Sequence, residues 1–417
     1  MSGAGGPMGE TRPGPLDGFR VLDLTTMVSG PVATMMLADQ GAEVIKIESP
    51  EGELMRKVGV DHNGMSSSFL SCNRSKRSLA VDLKTSDGLA IVKKLAATAD
   101  VLVQNFRPGA IERMGLGEDV VRAIRPDIVF VSISGFGESG PYAHQRVYDP
   151  VIQALSGLAD IQADRATGEP RMVRTIVPDK TTSLAAAQAI TAALLARERG
   201  AGGQHIRLSM LDTMIAFLWP EGMSGLNYVG REVDPARSQM GLDLVYKTSD
   251  GHITAAAVTD AEWAGLCRAL GRPDLVDDER FLTPGDRFRN VAARRAETSA
   301  EIAKWPTAEI LHKFDAEDVA CAPVLDRWGL LDNDQILENA IIEVHDDPIL
   351  GPVRQPRPAA RFDRTPALVR ALAPYLGADN AAILAELGYP ETEIARLSGN
   401  GVLGAKPPNE QEAKRNA

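Results

Sequence analysis

At 417 residues, 44% hydrophobic and 24% charged, the chain has the size and make-up of a soluble protein of two domains, or of one large domain carrying an insertion. No apolar run approaches the roughly 20 residues of a membrane span. A net charge of −11 repels nucleic acid, so an anionic ligand requires a local cluster of Lys and Arg. Cys72, Cys267 and Cys321 are odd in number and far apart, which argues against a disulfide framework or a cysteine zinc site; a reducing cytoplasm is the expected setting.

In chain order, residues 1–15, "MSGAGGPMGETRPGP", lack the apolar core of a signal peptide and are expected to form a flexible tail. "FRVLDL" (19–24) and "AEVIKIE" (42–48) read as strands. Between them "SGPVATMMLADQG" carries helix signals: Ser29 or Gly30 near the cap, Pro31 in the first turn, Gly41 just past the end. "TSDGLAIVKKLAATA" is helical, and "DVLVQNF" and "PDIVFVSIS" are strands. This rhythm predicts a parallel sheet with helices on both faces. A long helix is expected over 179–199, closed by "GAGG", and a polar linker over 231–241. "LVYKTSDGHITAAAV" then predicts a hairpin about an Asp-Gly turn. Helices from 260 to about 318 and a strand at "CAPVLD" complete a small α+β unit, and the composition from 399 onward predicts disorder.

Several familiar chemistries lose on these residues. Glu48 lies about 20 residues beyond the first glycine turn, the spacing of a dinucleotide site, yet "TTMVSGPVAT" has one glycine where the pyrophosphate loop needs three. The six histidines show no metal-ligand spacing, so no metal is expected, and only His144, in a turn, lies near a plausible site. Ser139 has no strand running directly into a helix, as a hydrolase elbow requires.

What remains is positive charge beside sheet ends. "CNRSKRSLAVDLK" carries Arg74, Lys76, Arg77 and Lys84; "VQNFRPGAIERMG" carries Asn105, Phe106, Arg107 and Arg113; "GFGESGPYAHQRVYDP" carries Arg146, Tyr148 and Asp149. Each alone reads as a solvated loop. Together they would ring the strand ends where α/β sheets bind ligands, and would suit a polyanion with a flat ring to stack on Phe106. A nucleotide-tailed cofactor has both. Asp179, in "VPDKTTSLAAAQA", has no His, Cys or second acid beside it in sequence, and locally it reads best as a helix N-cap.

These segments, with "LDGFRVLDLT", "VSGPVATMMLADQGAEVIKIESPEGE" and "VYKTSDGHI", in this order, resemble the family III CoA-transferases, the group of formyl-CoA transferase, carnitine CoA-transferase and α-methylacyl-CoA racemase. The resemblance runs from about residue 15 to about 370. It implies a Rossmann-like large domain built from both chain ends with an inserted small α+β domain, in an interlocked homodimer. The implied boundaries are 16–220 for the first part of the large domain, a linker at 221–241, the small domain at 242–326, the return at 327–398 and a flexible tail at 399–417. CoA enters as a substrate, with no permanently bound cofactor, and a carboxylic acid as the acceptor. Its adenine and phosphates are expected at Lys84, Asn105, Phe106, Arg107 and Arg113 and at main chain near Val28, with Arg146 near the pantetheine path. Ser49 stands where some members carry an arginine. Asp179 aligns with the family's nucleophilic aspartate, which puts the nucleophile ahead of the cap; the two readings are compatible, with the carboxylate beside the positive helix end.

Racemases of the group carry His-Asp where this chain has Tyr148-Asp149, and a Glu whose loose counterpart is Asp260. Tyr is a poor proton shuttle beside His, so transfer is expected over proton exchange at C2. A catalytically silent acyl-CoA binder is the third reading, opposed by the joint presence of Asp179, Arg146 and Tyr148. The transferases' glycine-rich loop has only Gly241 here. Trp219, Met223 and Tyr228 are candidates for an acyl pocket, with packing the plainer role.

Overall fold

The computed structural model describes residues 13–164, 167–233 and 244–405. The chain divides into two compact units: residues through Trp219 together with those from Ala340 onward, and Pro220–Asn339. Gly241 lies outside the described residues, as do parts of the expected linker and of both tails.

The larger unit is built on six strands: β1 (Arg20–Asp23), β2 (Glu43–Glu48), β3 (Lys76–Ala80), β4 (Val101–Gln104), β5 (Val129–Ser134) and β6 (His205–Ser209). All pair in parallel, in the order β3-β2-β1-β4-β5-β6. This is the doubly wound order, in which the chain reverses direction across the sheet between β1 and β4. Interleaved are α1 (Ser29–Asp39), α2 (Ser86–Ala96), α3 (Glu118–Ile124), α4 (Asp149–Leu155), α5 (Val177–Ala196) and α6 (Met210–Leu218).

Strand alternation sends neighbouring residues to opposite cores. Val21, Val44, Val101, Val103 and Val131 pack against Ala33 and Leu37 of α1 and Ala186, Ile190 and Leu194 of α5. Leu22, Ile45, Leu79, Leu102 and Phe130 pack on the other face against Ile91 and Leu95 of α2. Because both faces are covered, the strands read as continuous apolar runs rather than as an alternating pattern.

In the smaller unit, β7 (Val245–Lys247), β8 (His252–Ala256) and β9 (Ala320–Pro323) form an antiparallel sheet in the order β9-β8-β7. The β7–β8 turn closes with Thr248 N–H donating to Gly251 O at 3.0 Å. Helices α7 (Asp260–Ala269), α8 (Val291–Ile302) and α9 (Thr307–Ala316) belong to this unit, whose core centres on Trp263, Phe281, Ile310 and Phe314. A capping box between Thr259 and Glu262 starts α7.

The chain then returns to the larger unit through a hairpin of β10 (Ile342–Asp347) and β11 (Gly351–Pro356), followed by α10 (Asn380–Glu386) and α11 (Glu391–Gly399). Ile383, Leu384 and Leu397 complete the α2-side core. Asn380 blunts the free edge at β3: its Oδ1 accepts from Ala80 N–H at 2.9 Å, and its Nδ2 donates to Gly404 O at 2.7 Å. The expectation of a flexible tail from 399 is corrected over 399–405. Val402 and Leu403 are buried, and Val402 O accepts from Asp82 N–H at 2.8 Å. Local composition is polar and glycine-rich, but these two side chains fill the last opening of an apolar core. Changing both to Ala should cost about 3 kcal/mol of stability in urea unfolding; a loss under about 0.5 kcal/mol would exclude them from the core.

Candidate active site

At the point where the sheet order reverses, the loops after β1 and β4 meet. Asp23, the last residue of β1, is fully buried and serves as their anchor. Its Oδ1 accepts from Thr25 N–H at 2.9 Å; its Oδ2 accepts from the Thr34 hydroxyl at 2.7 Å and from Lys76 Nζ at 2.8 Å. Burial alone would raise the Asp23 carboxyl, but the Lys76 and Lys46 ammonium groups hold it well below the ordinary carboxylate range. Burial in turn brings Lys76 down to about 8, against the pull of Asp23.

Lys46 extends the network. Its Nζ donates to Thr25 O at 2.9 Å and pairs with buried Glu53 at 2.7 Å. Glu53 Oε2 accepts from Met27 N–H at 2.7 Å, securing Met27 in the left-handed region at φ 69°. From the β4 side, Asn105 clamps Thr26 twice, accepting from its N–H at 2.9 Å and donating to its carbonyl at 2.8 Å. Gly30 lets α1 begin against this loop, since a Cβ there would lie 2.3 Å from Thr25 Cβ. Its role is close helix packing rather than pyrophosphate binding.

The first turn of α1 therefore points its free N–H groups at a defined spot, and no side chain caps it. Asp179 occupies that spot. It sits in the first turn of α5, whose cap is Ile176, so the helix starts at Val177 and the reading of Asp179 as its N-cap is corrected. Pro178, with its fixed φ, opens the helix earlier than the aspartate does. The carboxylate accepts from the Ser29 backbone N–H. Burial and the nearby Asp149 carboxylate push Asp179 up to about 6, against the lowering effect of that hydrogen bond.

Asp149, the first residue of α4, is the second acid that the sequence hid. Its Oδ2 accepts from Asp179 N–H at 3.2 Å, and its Oδ1 accepts from Gln153 Nε2 at 2.7 Å. Burial raises its pKa as well. Thirty residues separate the two acids, but adjacent helix starts bring them together.

Asp179 opens into a cavity shared with Ser29, Asn105, Phe106, Arg107 and Tyr148. A more apolar cavity, lined by Leu24, Ile47, Val81, Leu83 and Met114, includes Lys84 at its mouth and shares Phe106. A third holds Gln104, Ser132, His205, Glu118 and Arg207, again with Phe106 and Arg107. Phe106 is thus the wall common to all three. The arrangement is a carboxylate with raised proton affinity, a backbone donor beside it, and three cavities of mixed apolar and cationic lining that share Phe106.

A model of CoA-transferase family III matches residues 16–380. The chain is similar to the succinyl-CoA:glutarate CoA-transferase of Mus musculus, 35% identical over 397 residues, covering 93% of this chain and 90% of that protein. It is also similar to the formyl-CoA:oxalate CoA-transferase of Streptomyces avermitilis, at 31% identity, 93% of this chain and 99% of that one. Among solved structures, a CAIB/BAIF family protein from Brucella suis superposes with a TM-score of 0.78 at 31% identity, over 90% of this chain and 100% of that one. The chain belongs to CoA-transferase family III. The relatives named above are CoA-transferases, and this likeness supports CoA-transferase activity, with CoA thioesters as the substrate class of the family.

Within this family III chain, the residues expected from sequence fall into groups. Asn105, Phe106, Arg107, Tyr148 and Asp179 share one cavity, and Lys84 joins through the cavity across Phe106. Tyr148 is 61% exposed and precedes α4. Arg146 and Arg113 are exposed, and a Cβ at Gly109 would lie 3.0 Å from the Arg113 guanidinium. Neither lines these three cavities, and Val28 is buried beside Met55 and Phe69.

The cation ring is thinner than the sequence suggests. Arg74 is buried against Asp39 at 2.8 Å, Lys76 against Asp23, and Arg77 pairs with Glu43 and Glu386. Of that segment only Lys84 stands beyond the carboxyl end of its strand, because β3 begins at Lys76. Glu48 is buried in a pair with Arg56 at 2.7 Å and is not offered to a ribose. His144 is exposed, whereas His205 is the histidine at a cavity. Asp260 is paired with Arg287 at 2.6 Å inside the smaller unit. Trp219 and Tyr228 are exposed. Among the described residues, no helix is long and apolar enough to cross a membrane, and no group of three or more His, Cys, Asp or Glu is placed to hold a metal.

Because Asp179 binds its proton more tightly in the folded chain, the fold takes up protons relative to the unfolded chain between the ordinary aspartate range and pH 6. Its contribution to stability therefore falls as pH rises through that window and stays unfavourable above it. Asp179→Asn should stabilise the protein at pH 7.5 by on the order of 1 kcal/mol, after allowing for partial solvent screening, with little or no gain near pH 4. Urea unfolding at the two pH values checks both the sign and the window.

Proposed function

We propose that the protein transfers CoA from an acyl-CoA thioester to a free carboxylic acid, with Asp179 as the covalent relay. The observation that carries this reading is the Asp179 carboxylate itself: partly desolvated, free of a cationic partner, hydrogen-bonded by a helix-start N–H and open to a cavity suited to a long mixed ligand. A carboxylate neutralised by Arg or Lys would be a poor nucleophile; one held only by backbone dipoles keeps its basicity.

In this mechanism an Asp179 oxygen attacks the thioester carbonyl, the C–S bond breaks, and CoA leaves as thiolate. The thiolate then attacks the aspartyl carbonyl of the mixed anhydride, releasing the donor acid and leaving an aspartyl-CoA thioester. The acceptor carboxylate attacks that thioester and forms a new anhydride, from which returning thiolate takes the acyl group and restores Asp179. No proton is transferred at any step, which suits a site built from backbone N–H groups. Ser29 N–H supports the oxyanion formed at the aspartyl carbon. Asp149 raises the energy of the free carboxylate and so favours its acylation. Tyr148, at the cavity rim, is assigned to orienting the acyl carbonyl. Lys84, Arg107 and Phe106 are assigned to the nucleotide end of CoA, with Asn105 acting chiefly as the clamp on Thr26; Arg113, Arg146 and main chain near Val28 complete the proposed contacts.

The proposed homodimer is supported by large apolar side chains left in water. Leu184 on α5 and Phe217 on α6 are each 58% exposed, and Trp328 of the smaller unit is 77% exposed. Light scattering on the purified chain should give twice the 44.6 kDa monomer mass; a monomer would remove this element of the proposal.

Incubation with acyl-CoA and hydroxylamine should convert Asp179 to a hydroxamate, detected by peptide mass spectrometry. Asp179→Asn should abolish the adduct and lower kcat at least about 1,000-fold. The kcat/KM profile should fall below about pH 6 as Asp179 is protonated, and Asp149→Asn should move that limb to lower pH. No adduct with any of a panel of acyl-CoAs would refute the covalent mechanism, and C2 deuterium uptake from heavy water by a 2-methylacyl-CoA would favour racemisation instead.

A further inference from the structure

The third cavity contains a hydrogen-bonded chain that transfer chemistry does not use. Glu118 Oε2 lies 2.5 Å from His205 Nδ1, and His205 Nε2 lies 2.8 Å from Ser132 Oγ. Gln104 Nε2 donates to Ser132 Oγ at 2.9 Å, and Gln104 Oε1 accepts from Phe106 N–H at 2.8 Å. The first three residues match the order of a nucleophile, base and orienter. However, Ser132 lies within strand β5 rather than on a strand-to-helix turn, and its oxygen already accepts from Gln104. The chain leads into the sheet and ends on the backbone of Phe106.

The polarity of each link follows from the one before. The Glu118 carboxylate only accepts, so His205 holds a proton on Nδ1, and in the neutral ring Nε2 is then the acceptor. Ser132 must then donate its hydroxyl proton to Nε2 and present lone pairs to Gln104. Gln104, whose two amide ends are almost the same shape, must turn its NH2 toward Ser132 and its oxygen toward Phe106 N–H. With the amide reversed, two donors would face each other at Phe106, and the turn that lifts the chain out of β4 would lose its hydrogen bond to Gln104. Arg207 at 3.2 Å and Arg122 at 3.6 Å also face Glu118.

The geometry points to Glu118, His205, Ser132 and Gln104 as a positioning relay that sets the Phe106 platform and thereby the affinity for the nucleotide portion of CoA. It rests on the proposal that Phe106 meets that portion. These residues touch no reacting atom; they act through the Phe106 backbone.

Calorimetric titration of the full-length protein with CoA tests this. Ser132→Ala and Glu118→Gln should each weaken binding by about 5- to 30-fold, the ratio expected from the loss of one or two hydrogen bonds. The effect should appear in KM for acyl-CoA rather than in kcat. The double variant should be no worse than the poorer single one, because both cut the same chain. Ser132→Thr, which keeps the hydroxyl, should bind as the wild type does. The sign for Glu118→Gln is decisive: removing a negative charge beside a polyanion site should strengthen binding if the side chain acts only through its field, whereas the relay requires weakening. Thermal melts of each variant separate loss of affinity from loss of fold. Unchanged or tighter CoA binding by Ser132→Ala and Glu118→Gln, or strictly additive losses, would overturn the relay. Wild-type protein that fails to bind CoA would overturn the functional reading beneath it as well, and retained transfer by Asp179→Asn would overturn the covalent mechanism while leaving this test intact.

Discussion

Everything in the site depends on how the chain leaves β1. A loop of main-chain donors must be fixed at the sheet end without a covalent tie, and the fold does this with buried charge. Asp23, Lys76, Lys46 and Glu53 are withdrawn from water almost completely, and between them they hold Thr25 and Met27 by main chain or side chain. Such a network is a weak source of net stability, because desolvation consumes most of the Coulombic gain. Its value lies in what a hydrophobic substitute could not do: Leu in place of Glu53 would fill the space but could not receive the Met27 N–H. Removing one partner alone would leave a buried uncompensated charge, at about 3–5 kcal/mol.

That rigidity is spent on an arrangement that the fold would otherwise avoid. Asp179 and Asp149 are two acids at neighbouring helix starts; among the described residues neither has a salt-bridge partner, and only the more distant Lys180 charge acts on Asp149. Helix starts favour negative charge, which offsets part of the repulsion, and the Ser29 N–H offsets more. The remainder is visible as a proton affinity well above that of ordinary aspartate. A site tuned for stability would have placed an arginine against these acids, as the fold does elsewhere for Asp39 with Arg74 and for Glu43 and Glu386 with Arg77.

Much of the architecture was legible in sequence, because periodicity reports burial. The strands from "FRVLDL" to "PDIVFVSIS", the α1 signals around Pro31 and Gly41, and the Asp-Gly hairpin all express local rules that the structure obeys. What was not legible depends on distance in space. Asp149 looked like a residue beside a conspicuous Tyr, and nothing local ties it to Asp179. The cations of "CNRSKRSLAVDLK" looked free because their partners, Asp39, Asp23 and Glu386, lie far along the chain. His205 sat in an unremarkable strand, and only the pairing of β5 with β6 brings it to Ser132. Val402 and Leu403 were lost in a polar tail, where two apolar residues are too few to make a period.

The geometry around Asp179 also bears on why a carboxylate, rather than a stronger nucleophile, suits CoA exchange. In the proposed cycle the Ser29 N–H meets the same oxygen in three states: as a shared negative charge in the free enzyme, as a tetrahedral oxyanion during each attack on the aspartyl carbon, and as a neutral carbonyl in the anhydride and thioester. A fixed donor contributes most where charge on that oxygen is most concentrated, which is the tetrahedral state. It contributes less to the free carboxylate, whose charge is spread over two oxygens and further raised in energy by Asp149. The neighbouring acid thus destabilises the ground state, and the helix start stabilises the transition state. Both effects require that the donor not move, and the buried charges under Met27 prevent it from doing so.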